Sequence, residues 1–142
     1  MPEISVIIPA KNAEKTIAQS LHSLAIQTFR DFEVLVINDG SSDKTDDILY
    51  EFRNIINLKV VRNIESIGVA DSINKGILAT DSAFIVRLDS DDLAVPNRLE
   101  RQYDFMRNNC NIDICGSYLY VFADDLNKGG VLMHPTNNEA IK

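Results

Sequence analysis

Apolar residues fall along the chain in short continuous runs that alternate with longer stretches at helical spacing, and each run stops at polar or turn-forming residues. Ile4 to Pro9 is the first run, bounded by Ala10, Lys11 and Asn12. Ile17, Leu21, Leu24 and Ala25 then share a helical face, with Asn12 as the expected cap. Phe32 to Asn38 is almost continuously apolar, the pattern of a strand covered on both faces in a parallel sheet. Asp39-Gly40-Ser41-Ser42-Asp43 breaks it and offers caps to a helix carrying Ile48, Leu49 and Phe52. Leu58 to Arg62 predicts a third strand and Asn63 to Gly68 a loop, and Val69, Ile73 and Ile77 mark a short helix. Ala83 to Leu88 predicts the fourth strand, running straight into Asp89-Ser90-Asp91-Asp92. Pro96 suits the first turn of a helix whose Leu99, Gln102, Tyr103 and Met106 line up.

From Ile112 the pattern changes. Ile112 to Phe122 reads as one long strand, Asp124 to Gly130 is turn-rich, and Val131-Leu132-Met133 predicts the return strand of an antiparallel hairpin at one side of the sheet. The alternation as a whole predicts an α/β fold with a mainly parallel sheet flanked by helices and right-handed crossovers.

A chain of 142 residues is the size of one domain, here expected to span 1–142, and buries enough surface to need no disulfide or metal staple. With 45% hydrophobic and 25% charged residues, disordered and low-complexity classes are excluded. Fourteen Lys and Arg against 21 Asp and Glu leave a formal charge of −7, which repels nucleic-acid backbone. A phosphorylated small molecule stays compatible with that charge if a cation or a local basic pocket offsets it. The N-terminus carries an acidic residue where a signal peptide needs a basic one, and no apolar run approaches the ~20 residues of a membrane span. A cytoplasmic location is expected. Cys110 and Cys115 lack zinc-site spacing, so both are expected to be reduced and at least partly buried.

In open α/β sheets ligands sit outside the carboxyl ends of the strands, where strand order reverses. The residues that follow the four strands are Pro9 to Asn12, Asp39 and Gly40, Asn63, and Asp89, Asp91 and Asp92, so four carboxylates are expected at one edge. Neither GxGxxG nor GxxxxGK[ST] occurs, which removes the cradles that bind phosphate through backbone amides alone. Asp side chains are hard oxygen ligands suited to Mg²⁺ or Mn²⁺ shared with a diphosphate. An isolated DxDD more often solvates a loop or caps a helix. Directly after a strand, however, Asp89 and Asp91 can face one cleft while Asp92 turns away. Arg87, two residues earlier on the same strand face, has two open readings: neutralising Asp89, or gripping a phosphate bidentately. Asp39 taken alone is an ordinary turn residue before a flexible glycine.

Taken in order, SVIIPAKN, EVLVINDGSSDKT, NIESIGVADSINKGI and FIVRLDSDDLAVPNRLERQ closely resemble the N-terminal half of family-2 glycosyltransferases with the Rossmann-like GT-A fold. DSDD is similar to that family's DxD element, and the arrangement resembles bacterial members that extend surface polysaccharides. The resemblance implies an inverting, metal-dependent transfer from a nucleotide-diphosphate sugar, typically UDP-linked, to a glycan or lipid-linked acceptor. It implies that Pro9 borders the nucleotide base, that Asp39 hydrogen-bonds the base, and that Asn12, Asn63 and Arg87 belong to the same donor site. Asp89 would contact the ribose or a metal-bound water, and Asp91 would ligate Mn²⁺ or Mg²⁺, with Asp92 as a secondary ligand. Lys11 departs from the aromatic residue or Arg of many members, and Ile73 from the Arg of some.

The family's general base and acceptor pocket lie further along than Lys142, so the chain is expected to be truncated and itself inactive in transfer. Asp124 and Asp125 read as hairpin-turn residues rather than as that base. The alternative from another class is a non-catalytic nucleotide-sugar-binding or interaction module. A nucleotidyltransferase would want a Gly-rich basic loop after strand one, and a phospho-acceptor receiver an acidic pair there. This chain has neither. Peripheral attachment at the inner face of the membrane and a homodimer formed through an exposed sheet edge are further expectations.

Overall fold

The computed structural model describes residues 1–123 and 127–134. The predicted runs become β1 (Ile4–Ala10), β2 (Phe32–Asp39), β3 (Leu58–Asn63) and β4 (Phe84–Arg87), interleaved with α1 (Ile17–Ala25), α2 (Thr45–Phe52) and α3 (Val69–Leu78). After β4 come α4 (Arg98–Asn108) and then two short strands, β5 (Leu119–Phe122) and β6 (Gly129–Leu132). The chain divides into two compact units, Met1–Tyr103 and Asp104–Lys142.

In the first unit the four parallel strands are ordered β3-β2-β1-β4. Ile4 lies opposite both Phe32 and Phe84, and Val34 opposite Leu58. All seven residues of β1 are buried, which explains why its sequence lacks polar alternation. One face of the sheet presents Val6, Ile8, Val34 and Val36 to Ile17, Leu21, Leu24, Leu49, Phe52 and Leu99. The other presents Ile7, Leu35 and Ile37.

Helix α3 covers that second face in an unexpected way. Val69 and Ile77 are 56% and 41% exposed, and the buried positions are Ser72 and Gly76. The apolar spacing thus marks the helix without marking its buried side. The reason is bulk on the sheet: a Cβ at Gly76 would lie 2.6 Å from Ile7 Cγ2, so the helix comes this close only through its small residues.

Asn12 is not the cap of α1. That helix starts after Thr16 with no side-chain cap bond, and Asn12 takes a φ of +50°. Its N–H donates to Ser41 Oγ at 3.0 Å and its carboxamide oxygen accepts from the Ser42 N–H at 2.9 Å, so it ties the loop after β1 to the loop after β2. Helix α2 does use the predicted cap region: Asp43 Oδ1 accepts from the Thr45 N–H at 3.0 Å.

At the start of β2, buried Glu33 accepts from Ser5 Oγ at 2.7 Å and from Thr80 Oγ1 at 3.1 Å, and pairs with Lys59 Nζ at 2.7 Å. Burial alone would raise its pKa, but Lys59 and the two hydroxyls outweigh that and hold it below the ordinary glutamate value.

The second unit contains the hairpin, with Leu119 opposite Leu132 and Phe122 opposite Gly129. Its strands form a two-stranded sheet of their own. Residues 112–118 are not strand, contrary to the continuous run expected there, because strand needs a paired neighbour and β6 supplies only four positions. The return strand also starts early, at Gly129, where a Cβ would meet the Tyr120 ring at 2.7 Å. Asp124 and Asp125 lie outside the described residues. Neither cysteine is in a disulfide; Cys115 is half-buried, as expected, but Cys110, just past α4, is exposed.

Candidate functional site

Strand order reverses at β1: the chain runs outward through β2 and β3, then returns to place β4 on the other side. A cleft of about 470 Å³ opens outside the carboxyl ends at this point, a size suited to a small ligand. Pro9, Ala10 and Lys11 line it from β1, Asp39 from β2, and Ser66, Gly68, Val69 and Ser72 from the loop and first turns of α3. Arg87, Asp89, Ser90 and Asp91 complete it after β4.

Five of the residues singled out from sequence thus line one cleft, namely Pro9, Asp39, Arg87, Asp89 and Asp91. Asn12, Asn63 and Asp92 are not among its lining residues. Asn12 braces the loops described above. Asn63 is buried behind Asp39, donating Nδ2–H to Asp39 Oδ1 at 2.8 Å while its own Oδ1 accepts from Lys75 Nζ at 2.5 Å.

Asp39 is 4% exposed and fully engaged. Besides Asn63, Oδ1 accepts from the Ile67 N–H at 2.8 Å, and Oδ2 accepts from Ser66 Oγ at 2.6 Å and from the Gly68 N–H at 2.9 Å. Burial by itself would raise its pKa. The Ile67 amide, Ser66, Asn63 and the Gly68 amide together reverse that and hold the carboxyl far below the ordinary range. Asp39 is thus held in its anionic form near neutral pH, and its four bonds fasten the loop before α3. Gly40, at φ +70°, lets that loop approach, since a Cβ there would lie 3.2 Å from the Ser66 nitrogen.

Across the cleft, Arg87 grips Asp89 with two parallel bonds, Nε to Oδ1 at 2.9 Å and Nη2 to Oδ2 at 3.0 Å. Of the two readings of Arg87, this geometry matches the neutralising one. Both side chains are largely solvated, so the pair adds little stability and can exchange partners cheaply. The Asp92 N–H bonds back to Asp89 O at 3.1 Å, closing a turn that leaves Asp89 and Asp91 on the cleft side. Desolvation, then the like charges of Asp89 and Asp91, raise the Asp92 carboxyl above its usual value.

No three acidic, His or Cys side chains among the described residues converge closely enough to cage a metal alone. The donor set instead suits a cation that takes one or two protein carboxylates and completes its shell with phosphate oxygens and water, as Mg²⁺ and Mn²⁺ do. Asp91 and Asp89 are the residues that would hold it.

Two features around the cleft gave no signal in the sequence. The first is a set of polar side chains on and just after α1. Ser20 Oγ donates to Ser90 O at 3.0 Å, and Ser23 Oγ accepts from the Ala94 N–H at 3.0 Å. Fully buried Gln27 donates to Val95 O at 2.8 Å and accepts from the Leu99 N–H at 3.1 Å. These three fix the segment that carries Asp89 and Asp91. Gln27→Leu is expected to cost about 1–3 kcal/mol in urea unfolding, because it strands the Leu99 N–H; the Val95 carbonyl keeps the Arg98 N–H at 2.9 Å.

The second is Ser72, fully buried on the wall of the cleft with its Oγ lacking a hydrogen-bond partner. In sequence it is one more serine within a helix, where only the fold reveals which way it faces.

The model of the family described as "Glycosyl transferase family 2" matches residues 5–140. An uncharacterized glycosyltransferase of Haemophilus influenzae is 35% identical over 124 residues, covering 87% of this chain and 38% of its own. The UDP-Glc:alpha-D-GlcNAc-diphosphoundecaprenol beta-1,3-glucosyltransferase WfgD of Escherichia coli is 36% identical over 115 residues, covering 81% of this chain and 45% of its own. Among solved structures, S. aureus TarS in complex with UDP-GlcNAc superposes with a TM-score of 0.73 at 34% identity, over 76% of this chain and 32% of that one. The Pyrobaculum calidifontis mannosyltransferase PcManGT, solved with GDP-Man and Mn²⁺, shares the fold at a TM-score of 0.68 and 24% identity, over 74% of this chain and 32% of that one. The chain spans less than half the length of each of these relatives. Among the described residues no helix is long and apolar enough to cross a membrane.

Proposed function

This chain belongs to glycosyl transferase family 2, and from that membership we propose that its cleft binds the nucleoside diphosphate of a sugar donor with a divalent cation, as the donor-binding part of an inverting transferase. The observation that carries the reading is the pairing in one cleft of the anchored anion Asp39 with Arg87, Asp89 and Asp91 at the order-reversal point of the sheet. The unpartnered Ser72 hydroxyl supports a polar occupant, since a buried orphan hydroxyl is costly unless something bonds it. UDP and UDP-GlcNAc in the TarS complexes support a uridine nucleotide.

In this reading Pro9 walls the base and Asp39 accepts a hydrogen bond from it, with Asn63 holding Asp39 and Asn12 holding the loops. Lys11 and Arg87 meet the diphosphate, and Asp89 meets the ribose or a water of the cation. Asp91 ligates Mn²⁺ or Mg²⁺, and Asp92, off the cleft, is secondary. The cation when bound stabilises charge on the departing nucleoside diphosphate. The acceptor is a glycan or lipid-linked sugar in bacterial surface polysaccharide synthesis, a proposal supported by the diphosphoundecaprenol acceptor in the WfgD name. Residues 1–142 act as a single donor-binding domain on the cytoplasmic side, at the inner face of the membrane when the acceptor is lipid-linked.

Calorimetric titration of UDP and of GDP, each in Mn²⁺, in Mg²⁺ and in EDTA, tests the proposal. One nucleotide is expected to bind, with UDP favoured, and to bind only when a cation is present. Absence of binding by both nucleotides in all three conditions would overturn it.

A further inference from the structure

The bonding of Asp39 carries a consequence for how a base can enter. A carboxylate offers about four lone-pair positions, and four donors already fill those of Asp39: Asn63 Nδ2–H, the Ile67 and Gly68 N–H groups, and Ser66 O–H. A nucleobase that bonds Asp39 must therefore displace one of them.

Three of the four are fixed. Asn63 is buried and held from its other side by Lys75. The Ile67 and Gly68 amides are main-chain groups that cannot turn away singly, in a backbone that runs directly into α3, where Gly68 O accepts from the Ser72 N–H at 3.0 Å. Ser66 is exposed, lines the cleft, and alone among the four can withdraw its donor by rotation about one side-chain bond.

We infer that Ser66 is the exchangeable partner of Asp39: its hydroxyl occupies the acceptor position that a ring N–H of the base takes on binding, so that base entry is a one-for-one exchange of hydrogen bonds. This rests on the donor-site reading above and adds a specificity rule to it. Uracil at N3 and guanine at N1 present a ring N–H on the pairing edge and complete the exchange head-on. Cytosine and adenine turn a bare, repelling ring nitrogen toward the carboxylate and can donate only from the exocyclic amine beside it, so they are disfavoured. In the empty site Ser66 keeps the carboxylate satisfied, and it competes with the base as a result.

The test compares wild type, Ser66→Ala and Ser66→Thr in calorimetric titrations with Mn²⁺. The ligands are UDP or GDP, whichever wild type binds, and its analogue methylated at N3 or N1 respectively. Ser66→Ala removes the competitor, so affinity for the unmodified nucleotide is expected to rise about three- to tenfold, the scale of one net hydrogen bond. Affinity for the methylated analogue is expected to be weak and unchanged. Ser66→Thr keeps the hydroxyl and is expected to match wild type. Unchanged or weaker binding by Ser66→Ala, an equal gain by Ser66→Thr, or a methylated analogue that binds as well as its parent would overturn the exchange. Failure of the donor-site reading shows separately, as no binding of UDP or GDP by any of the three proteins, and would take this inference with it.

Discussion

Asp39→Asn is expected both to destabilise the first unit and to remove nucleotide binding. An amide keeps the shape of the carboxylate but replaces one acceptor oxygen with a donor group. That group would face either Ser66 and the Gly68 N–H or Asn63 and the Ile67 N–H. Ser66 can rotate away, but the backbone N–H of Ile67 or Gly68 cannot. The expected cost is about 1–3 kcal/mol in urea unfolding, the penalty for a stranded, part-buried donor. UDP affinity should fall beyond detection, because the acceptor for the base is lost along with the order of the loop.

The pH dependence carries the sign of the same carboxyl. The folded-state pKa of Asp39 is depressed, so its contribution is complete above the unfolded value, about 3.9. It is lost progressively as pH falls from about 5 through that value toward the folded pKa. Glu33 and Asp43 are depressed in the same direction and share the slope. Asp39→Asn should therefore show a shallower loss of stability between pH 5 and pH 3 than wild type, from a lower starting point. A variant with the full wild-type acid slope would contradict the anchoring role of Asp39.

Asp91→Ala is expected to leave stability nearly unchanged and to lower UDP affinity in Mn²⁺ by more than about a hundredfold. Outer-shell partners of metal ligands already cost 10–100-fold, and Asp91 is proposed as a direct ligand. Its exposed position at a turn gives the fold little to lose. In EDTA the same substitution should do nothing or improve binding slightly, because one carboxylate fewer repels the diphosphate. Asp92→Ala, outside the cleft lining, should change affinity in Mn²⁺ less than about threefold. Calorimetry on the two variants reads both effects, and equal losses in Mn²⁺ and in EDTA would contradict metal ligation by Asp91.

Legibility in the sequence followed the physics of each element. Strands buried on both faces announce themselves as unbroken apolar runs, as β1 and β2 do, and the partly exposed β3 and β4 were marked by the turn residues that bound their shorter apolar stretches; all four were readable to within about one residue at most ends. Their trailing polar residues pointed to the cleft for the same reason: in a parallel sheet the chemistry collects at one edge. Helix α3 was legible as a helix from Val69, Ile73 and Ile77, but its buried side was not, because a helix that packs closely uses small residues, and Ser72 and Gly76 do not register as a face in hydropathy. The bracing by Ser20, Ser23 and Gln27 was invisible because it depends on where the 90–99 segment passes α1, a contact more than 60 residues distant in sequence. Asn12 looked like a cap and is a loop tie, since cap and tie use the same side-chain chemistry and differ only in partner. Gly129 and Gly130 read as turn yet lie in β6, where the first gives room for the Tyr120 ring.

The central claim is that a nucleoside diphosphate sits between Asp39 and Asp91, and amide chemical-shift mapping of the ¹⁵N-labelled chain with UDP and Mg²⁺ tests it most directly. The account predicts shifts concentrated at Ala10 and Lys11, at Ile67 and Gly68, and at Ser90 and Asp91, all absent when EDTA replaces the cation. Shifts gathered instead around Glu14, Lys44 and Glu51, where a second, shallower groove lies, or no shifts with UDP or GDP, would contradict it.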